Sequence, residues 1–306
     1  MTGSVETQAF RGAYDQADQV RHGVPSTQTD LDLEREEAQL RYTIDRFFGT
    51  QNGVFLRKMT HVNPDNSTVV ADVPDTSRPN VMDRLAELGL LVCGGTVNAI
   101  FTNSSVNDLD FYMTDATKQN EIDAFFTECF PAEKMTTINA ITYKRKSEKS
   151  NKKWVVQLIT RFVGDARTIF DWFDFTITHG AYDFAKRKFV LGARFLPDLA
   201  KRRLVYSGAS KYPICAMYRT KKYVARGFEL PGSTIMHIAL SIVQLKIENY
   251  GQLKEQLMGI DTIYLQKLIE AKSPDAPVNY GEFVFEAFQL IDRISGMTAA
   301  EEGEED

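Results

Sequence analysis

The sequence predicts an α+β protein in which a small mixed-sheet head is followed by an α-helical C-terminal region. Two observations predict this class. Segments with helix periodicity and segments with strand periodicity alternate over residues 79–178, whereas only helix-like segments follow residue 178. The chain of 306 residues, 43% hydrophobic and 25% charged, is also long enough to bury a full core.

The composition changes along the chain and suggests four parts. Residues 1–30 are polar without periodicity and predict a loose arm. Residues 31–205 form the head with its N-terminal helices, and residues 206–295 form the α-helical neck and C-terminal domain. The last residues, 296–306, contain EEGEED, whose five acidic side chains predict a disordered acidic tail.

The elements of the head follow from periodicity, capping residues and turn residues. A helix over 32–48 is indicated by the helical spacing of Leu40, Ile44 and Phe47, and Gly89 ends the next helix as a C-terminal cap. The predicted head continues through helix 79–88, strand 90–93, helical turn 96–101, strand 108–113, helix 115–129, strands 136–146 and 152–160, helix 164–172 and strand 173–178. The predicted C-terminal helices are 196–203, 212–226, 233–249, 252–258, 261–271 and 280–294.

Composition excludes several classes of protein. No apolar run approaches the roughly 20 residues of a membrane span, and the N-terminus has no basic and apolar segments typical of a signal peptide. We therefore expect a cytoplasmic protein with no membrane contact. Cys93, Cys129 and Cys215 are widely spaced in apolar surroundings, which predicts reduced core thiols. Four isolated histidines make a structural zinc site improbable.

The formal net charge of −5 is unevenly distributed. Basic residues collect in three segments, residues 143–154, 200–204 and 219–226. Any polyanion that the protein binds is expected to contact those segments.

Two aspartates on one predicted strand suggest a metal site. Side chains on a strand alternate between faces, so Asp108 and Asp110 point to the same side with Cα atoms about 6.5 Å apart. Hard cations such as Mg²⁺ prefer carboxylate oxygens and substrate phosphates, and two such ions can activate a hydroxyl and neutralise a leaving pyrophosphate. Two solvent-facing residues on a half-exposed strand are the alternative interpretation.

A pair of glycines stands at the start of the helical turn that precedes this strand. Gly94 and Gly95 carry no Cβ, and backbone N–H groups at a helix start have no acceptor within the helix. Such groups bind phosphate oxygens, and Thr96 offers a hydroxyl. Gly-Gly before a helix is common, and Thr96 and Asn98 are equally typical of an ordinary helix start. The motif is restrictive only together with the Asp-x-Asp strand twelve residues later.

The order strand, Gly-Gly, helix and Asp-x-Asp resembles the nucleotidyltransferase superfamily of DNA polymerase beta. A third carboxylate on a later strand is usual there, and WFDFTIT presents Asp174. Gln157, on the other predicted strand, occupies the alternative position for this carboxylate. FDFTITHGAYDF, LPDLAKRRLVY and PICAMYRTKKYVARGFEL are similar to successive motifs of class II CCA-adding enzymes and bacterial poly(A) polymerases. The resemblance covers about residues 85–235.

This resemblance implies a Mg²⁺-dependent, template-free transfer of a nucleoside monophosphate from an NTP such as ATP to an acceptor hydroxyl, with an RNA or tRNA 3′ end as the expected acceptor. Asp108 and Asp110 would bind two Mg²⁺ ions and Asp174 would assist catalysis. Gly94, Gly95 and Thr96 would hold the triphosphate. Arg219, Lys222 and Arg226, spaced to share a helix face, would contact the nucleotide, although a solvated basic face is the alternative.

Substrate-selecting positions depart from the family pattern. Trp172 and Phe173 replace the two arginines of the ribose-contacting motif, and Thr178 replaces its asparagine. The element that selects ATP and CTP has neither its acid nor its arginine near KYPIC. CCA addition is therefore not supported. An inactive scaffold that binds nucleotide or protein, and a toxin-like transferase that modifies tRNA or protein, remain as alternatives; the oligomeric state is not indicated.

Overall fold

The computed structural model describes residues 33–65, 67–129, 133–146, 153–208, 210–257, 272–283 and 286. The predicted arm, the acidic tail, helix 261–271 and most of helix 280–294 lie outside these residues. The chain divides into two compact units, Met1–Lys201 and Arg202–Asp306. Of the described helices, none is both long and apolar enough to cross a membrane.

A seven-stranded mixed sheet forms the centre of the first unit, with strand order β10-β9-β4-β5-β8-β7-β6. Only β5 and β8 pair in parallel, and every other neighbouring pair in this sheet is antiparallel. The strands are β4 (Leu90–Cys93), β5 (Asp108–Met113), β6 (Glu133–Thr136), β7 (Ala140–Lys146), β8 (Lys153–Val163), β9 (Gly180–Asp183) and β10 (Lys188–Leu191). The α+β class predicted from the sequence is confirmed.

A second, smaller sheet precedes it in the chain. It has the order β1-β2-β3, with β1 at Thr50–Gln51, β2 at Val54–Val62 and β3 at Thr68–Pro74. The residues of β2 and β3 beyond Leu56 are almost all exposed, which shows that this hairpin projects from the core.

Aromatic packing fills one face of the large sheet. Phe111 on β5 lies 5.2 Å from Phe126 and 6.3 Å from Phe48, measured between ring centroids. Phe48 ends helix α1 (Glu34–Phe48), and Phe126 belongs to α4 (Gln119–Cys129). Burial of these rings, each of which removes a large apolar area from water, fixes β5 between the two helices.

The opposite face carries a separate cluster. Leu91, Cys93 and Tyr112 pack there against Ile169 and Phe170 of α5 (Ala166–Phe170). Since Tyr112 is two residues from Asp110, this is the face to which Asp108 and Asp110 also point. The remaining helices of the first unit are α2 (Val81–Glu87), α3 (Gly95–Phe101) and α6 (Phe195–Ala200).

Three helices make up the described part of the second unit. They are α7 (Pro213–Ala225), α8 (Gly232–Gln244) and α9 (Tyr250–Gln256). Cys215 on α7 packs against Tyr250, Leu253 and Leu257. The Thr234 hydroxyl near the start of α8 donates to the carbonyl of Leu204 at 2.9 Å, which ties this helix to the segment that opens the unit. Cys93, Cys129 and Cys215 are buried free thiols.

Three sequence predictions of secondary structure are wrong. Residues 173–178 do not form a strand, because Thr176–Thr178 is a 3-10 helix preceded by a turn. The region after residue 178 is not purely helical either, since β9 and β10 follow as a hairpin. The predicted single strand over 136–146 is in fact β7 with a separate edge strand β6 before it.

Candidate active site

Gly94 makes the turn from β4 into α3. Its φ of +69° lies in the left-handed region, which glycine adopts without strain. Its amide donates to the carbonyl of Gly180 at 2.9 Å, and its carbonyl accepts from the amide of Asn98 at 3.0 Å. A Cβ built on Gly95 would meet no atom within 4 Å, so the space beside this residue is open. The turn therefore leaves the backbone of Gly95 accessible to a ligand.

Side chains of α3 fix this turn to its neighbours. The Thr96 hydroxyl donates to the backbone carbonyl of Asp108 at 3.2 Å, and the Asn98 side-chain amide donates to the carbonyl of Ile177 at 2.9 Å. Both side chains are buried. Thr96 was predicted to donate its hydroxyl to a phosphate; here that hydrogen holds the glycine turn against the start of β5. The two halves of the motif are thus directly bonded.

Asp108 and Asp110 lie on the same face of β5. Leu109 and Phe111 between and beyond them are fully buried on the opposite face, whereas Asp108 is exposed and Asp110 is partly buried. Burial chiefly raises the pKa of the Cys93 thiol on the neighbouring strand, and the negative charge of Asp110 raises that pKa further. The charge of Asp110 therefore acts on the partly buried part of the site next to Cys93, while Asp108 faces solvent.

The neighbouring strand places an amide beside this carboxylate. Asp110 is paired with Gln157 of β8, in the parallel register that also pairs Asp108 with Val155. The Gln157 side-chain nitrogen lies 3.4 Å from the hydroxyl of Thr142. Paired residues of adjacent strands point to the same face, so Gln157 contributes a neutral oxygen and nitrogen, not a third carboxylate, to this surface.

Asp174 is buried, with 4% of its surface exposed, and it lies in the turn between α5 and the 3-10 helix instead of on a strand. The reason is local hydrogen bonding. The Thr178 hydroxyl donates to the carbonyl of Phe175 at 2.7 Å, and the Thr176 hydroxyl donates to the carboxylate of Asp198 at 2.6 Å. Threonine side chains used in this way stabilise a turn in a segment whose alternation suggests a strand.

An aromatic wall stands beside the glycine turn, and the sequence-based site did not include it. A Cβ on Gly94 would lie 3.4 Å from the ring of Phe173. That ring is 5.8 Å from Tyr112 and 6.2 Å from Phe170, centroid to centroid. The signal in the sequence was the replacement of two family arginines by Trp172 and Phe173.

His179 lies beneath this wall, stacked on Phe170 with ring centroids 5.4 Å apart. Burial lowers the pKa of His179, while a hydrogen bond to the backbone of Phe173 and the charges of Asp171 and Asp174 oppose that effect. The imidazole is therefore a positioning group for the turn that carries Asp174, held mainly in its neutral form.

The structure brings five of the predicted site residues together in the first unit: Gly94, Gly95, Thr96, Asp108 and Asp110. Asp174 is linked to them through its neighbour Phe173. The three basic residues belong to the second unit, where Arg219 is partly buried on α7 and Lys222 and Arg226 are exposed. Arg226 is the C-cap of α7, one residue beyond the helix.

The donor set of the site is small. Among the described residues, no group of three or more His, Cys, Asp and Glu side chains is arranged to hold a metal ion. Asp108 and Asp110 nevertheless fit a hard divalent cation, because such ions keep several waters and take only one or two protein carboxylates when substrate phosphates complete the coordination. The fit thus depends on a phosphate-bearing ligand at the adjacent glycine turn.

Comparison with known proteins gives two kinds of match. The family model described as "Gabija anti-defense 2 family protein" matches residues 65–202. A curated protein, "Gabija anti-defense 2" of Bacillus phage SPbetaL7, is 28% identical over 213 residues, which is 69% of this chain and 50% of that protein. The chain thus spans half the length of this relative.

Solved structures with a similar arrangement are tRNA-processing nucleotidyltransferases. A tRNA nucleotidyltransferase complexed with a primer tRNA and an incoming ATP analogue is 16% identical, with a TM-score of 0.43, and covers 74% of this chain and 71% of its own. A Thermotoga maritima CCA-adding enzyme complexed with tRNA is 15% identical, with a TM-score of 0.40, and covers 64% of this chain and 49% of its own.

Proposed function

We propose that this protein is a Mg²⁺-dependent nucleotidyltransferase, which moves a nucleoside monophosphate from an NTP to an acceptor hydroxyl. The observation that carries the proposal is the bond between Thr96 and the carbonyl of Asp108, which joins the open glycine turn to a strand whose two carboxylates share a face. The proposed phosphate site and the proposed cation site would thereby be adjacent, and both are needed for transfer of a charged group.

Each residue of the first unit has a distinct role in this proposal. Asp108 and Asp110 hold the cation, and the backbone N–H groups of Gly95 and Thr96 bind the triphosphate. The N–H of Gly94 is bonded to the carbonyl of Gly180, so Gly94 contributes by shaping the turn. Bound Mg²⁺, as one or two ions, would neutralise charge on the phosphates and lower the pKa of the acceptor hydroxyl. Asp174 assists from its buried turn by orienting the segment that bears Phe173.

The proposed reaction forms one bond and breaks one. The acceptor oxygen attacks the α-phosphorus, the bond between the α-phosphorus and the bridging oxygen breaks, and pyrophosphate leaves with that oxygen. The hydroxyl proton passes to solvent or to a carboxylate at the site. We propose an RNA 3′ end as the acceptor, and Arg219, Lys222 and Arg226 as residues that bind substrate phosphates.

An assay with α-labelled NTPs and RNA tests the proposal. We expect wild-type protein with Mg²⁺ to label the RNA and release pyrophosphate. The double variant Asp108→Asn, Asp110→Asn keeps the side-chain shapes and should lose at least about 100-fold in rate, the scale for removal of a main electrostatic contributor. Asp72→Asn, an exposed aspartate on β3, is the matched control. Full transfer by the double variant would refute the assignment.

A second candidate function follows from the relative named Gabija anti-defense 2. We propose that this chain also acts against a Gabija defence system. The test is phage plating on Gabija-positive cells that express the wild type or the double Asn variant. If both proteins restore plaque formation by the phage, the scaffold alternative is favoured. If only the wild type restores it, an enzyme is favoured.

Calorimetry separates enzyme and scaffold by another route. An enzyme of the proposed kind should bind NTP more tightly with Mg²⁺ than in EDTA, because Asp108 and Asp110 would hold a cation that offsets the charge of the phosphates. A scaffold has no reason to show this dependence. Equal affinity in both conditions, for each of the four common NTPs, would contradict the enzyme proposal.

A further inference from the structure

Four cationic side chains of the second unit are exposed near the C-terminal end of α7. We refer to Arg202, Arg203, Lys222 and Arg226 as the basic cluster. Two of them come from the segment that opens the unit, and two come from the end of α7. The sequence indicated residues 200–204 and 219–226 as separate basic segments, so the convergence of the two segments is a finding of the fold.

Backbone bonds hold the two segments together. The Arg202 guanidinium donates to the carbonyl of Arg226 at 3.1 Å. The amide of Glu229 donates to the carbonyl of Arg202 at 2.7 Å, and the amide of Leu204 donates to the carbonyl of Glu229 at 2.8 Å. The last two bonds, both between backbone groups, form a parallel bridge between Arg203 and Glu229. The cations are therefore positioned by the backbone, not only by flexible side chains.

Arg202 occupies an unfavourable conformation. Its φ of +47° lies in the left-handed region, which glycine adopts freely and a long side chain rarely does. Conformations of this kind persist where the surrounding structure enforces them, and they concentrate at functional positions. At Arg202 the guanidinium bond to the carbonyl of Arg226 and the backbone bonds to Glu229 hold this conformation.

The cluster carries a local excess of positive charge. Within the described residues, none of its four members forms an ion pair, and Glu229 is the acidic side chain that the bridge brings close. The chain as a whole has a net charge of −5, so this surface is opposite in sign to the average. All four side chains are exposed, which suits an extended polyanion better than one enclosed nucleotide.

We propose that the basic cluster binds the phosphate backbone of single-stranded RNA. Because the basic cluster would bind the acceptor RNA, this inference rests on the proposed transferase function and deepens it. Contacts to phosphates carry no sequence information, so the RNA is bound without base preference. In this proposal Lys222 and Arg226 bind phosphates of the RNA strand.

Salt dependence of RNA binding measures the number of phosphate contacts. Fluorescence anisotropy with labelled mixed-sequence RNA in EDTA, without NTP, needs no catalysis. Four contacts at about 0.7 counterions each predict that affinity falls about 50-fold over a fourfold rise in salt. The variant Lys222→Gln, Arg226→Gln leaves two contacts, for which the fall is about 7-fold. The control Arg57→Gln, Lys58→Gln removes two exposed cations from β2 and should match the wild type.

Arg202→Gly separates binding from folding. Glycine accepts the positive φ but loses the guanidinium bond to the carbonyl of Arg226, so the two effects on the melting temperature oppose each other, whereas RNA binding should weaken at low salt at a temperature where both proteins are folded. Wild-type RNA affinity in both Arg202→Gly and the Lys222, Arg226 variant would overturn the proposal. Displacement of RNA by ATP as effective as by unlabelled RNA would also overturn it, because the cluster would then be a nucleotide site.

The two proposals fail independently. Asp108→Asn, Asp110→Asn protein should bind RNA like the wild type. If RNA binding depends on the cluster but no NTP is transferred, the transferase proposal fails and the RNA surface stands. If transfer occurs while the cluster variants bind RNA normally, the RNA surface fails and the transferase stands.

Discussion

Gly94 and Gly95 are adjacent in the chain but differ in what surrounds them. Gly94 requires its left-handed φ, and a Cβ there would contact the ring of Phe173. Gly95 has an ordinary φ and open space where a Cβ would stand. Stability therefore explains the first glycine. We propose that access of a ligand to the backbone explains the second, and this difference can be measured.

Gly95→Ala should reduce transfer without reducing stability. Alanine favours a helix by up to about 1 kcal/mol over glycine, while the added methyl group obstructs a phosphate that approaches the turn. Chemical denaturation and the NTP assay measure the two effects. Full transfer by Gly95→Ala would contradict the proposed phosphate site at the glycine turn.

Gly180→Ala is the matched control for that substitution. A Cβ at Gly180 would lie 2.7 Å from a methyl carbon of Val97 and 2.9 Å from the ring of Phe195. Overpacking of this kind costs about 1–3 kcal/mol, so this variant should lose stability. If Gly180→Ala were more stable than Gly95→Ala, that result would contradict the close packing around Gly180 and the open space beside Gly95.

His179 gives the fold a pH dependence of known sign. Because burial lowers its folded-state pKa, the unfolded chain binds the proton first as the pH falls below about 6.5. The stability contributed by neutral His179 is complete above that pH and is lost on acidification towards the folded-state pKa. His237, whose pKa burial also lowers, acts in the same direction.

Urea unfolding of His179→Gln between about pH 7.5 and pH 5.5 tests this effect. The variant should lose less stability than the wild type over this range, and the exposed control His61→Gln should behave like the wild type. An unchanged slope in His179→Gln would show that His179 is not the group that titrates.

At the scale of elements, α6 and the 3-10 helix are joined by a buried acid. Asp198, 3% exposed, accepts the Thr176 hydroxyl and two guanidinium N–H groups of Arg194 at 3.1 Å. This bidentate ion pair fixes the segment that follows Asp174. Loss of the carboxylate leaves a partly buried arginine and a buried hydroxyl without their acceptor.

Asp198→Ala should therefore lower the free energy of unfolding by about 3 kcal/mol. Arg41→Ala, which removes a surface contact to Glu37 at 3.8 Å, should cost less than about 1 kcal/mol. Thermal or chemical denaturation measures both. Equal, small losses in the two variants would contradict the proposed importance of the buried pair.

The sequence predicted elements well where one signal dominated. Periodicity and caps located α1, α2, β4, β5 and α4 to within a few residues, and period two placed Asp108 and Asp110 on one face. The 3-10 helix at Thr176–Thr178 was missed because its threonine bonds are invisible in an apolar-polar pattern. The strand β9, GAYD, was missed because it contains a glycine and an aspartate, residues that are uncommon in strands, whereas β4, LLVC, is a continuous apolar run.

At the scale of the whole molecule, pairing between distant segments decided what the sequence could not. The neighbours of Asp110 depend on the parallel pairing of β5 with β8, which joins residues far apart in the chain. Local patterns carry no information about such a register. The same holds for the basic cluster, whose two segments are joined by the bridge between Arg203 and Glu229 and by the bond from Arg202 to the carbonyl of Arg226.

The candidate functions divide between the two compact units. The glycine turn and the carboxylates belong to the first, and the basic cluster belongs to the second. The family match covers residues 65–202, which contain the carboxylates and end at Arg202. The double Asn variant therefore changes only the first unit, within the segment that the family model matches.

The most direct test is a crystal structure with a non-hydrolysable NTP and Mn²⁺ in place of Mg²⁺, because Mn²⁺ can be located by its anomalous scattering. The account predicts an anomalous peak bound by the carboxylates of both Asp108 and Asp110, with the triphosphate against the backbone of Gly95. A nucleotide bound elsewhere, or a metal that contacts neither carboxylate, would contradict it.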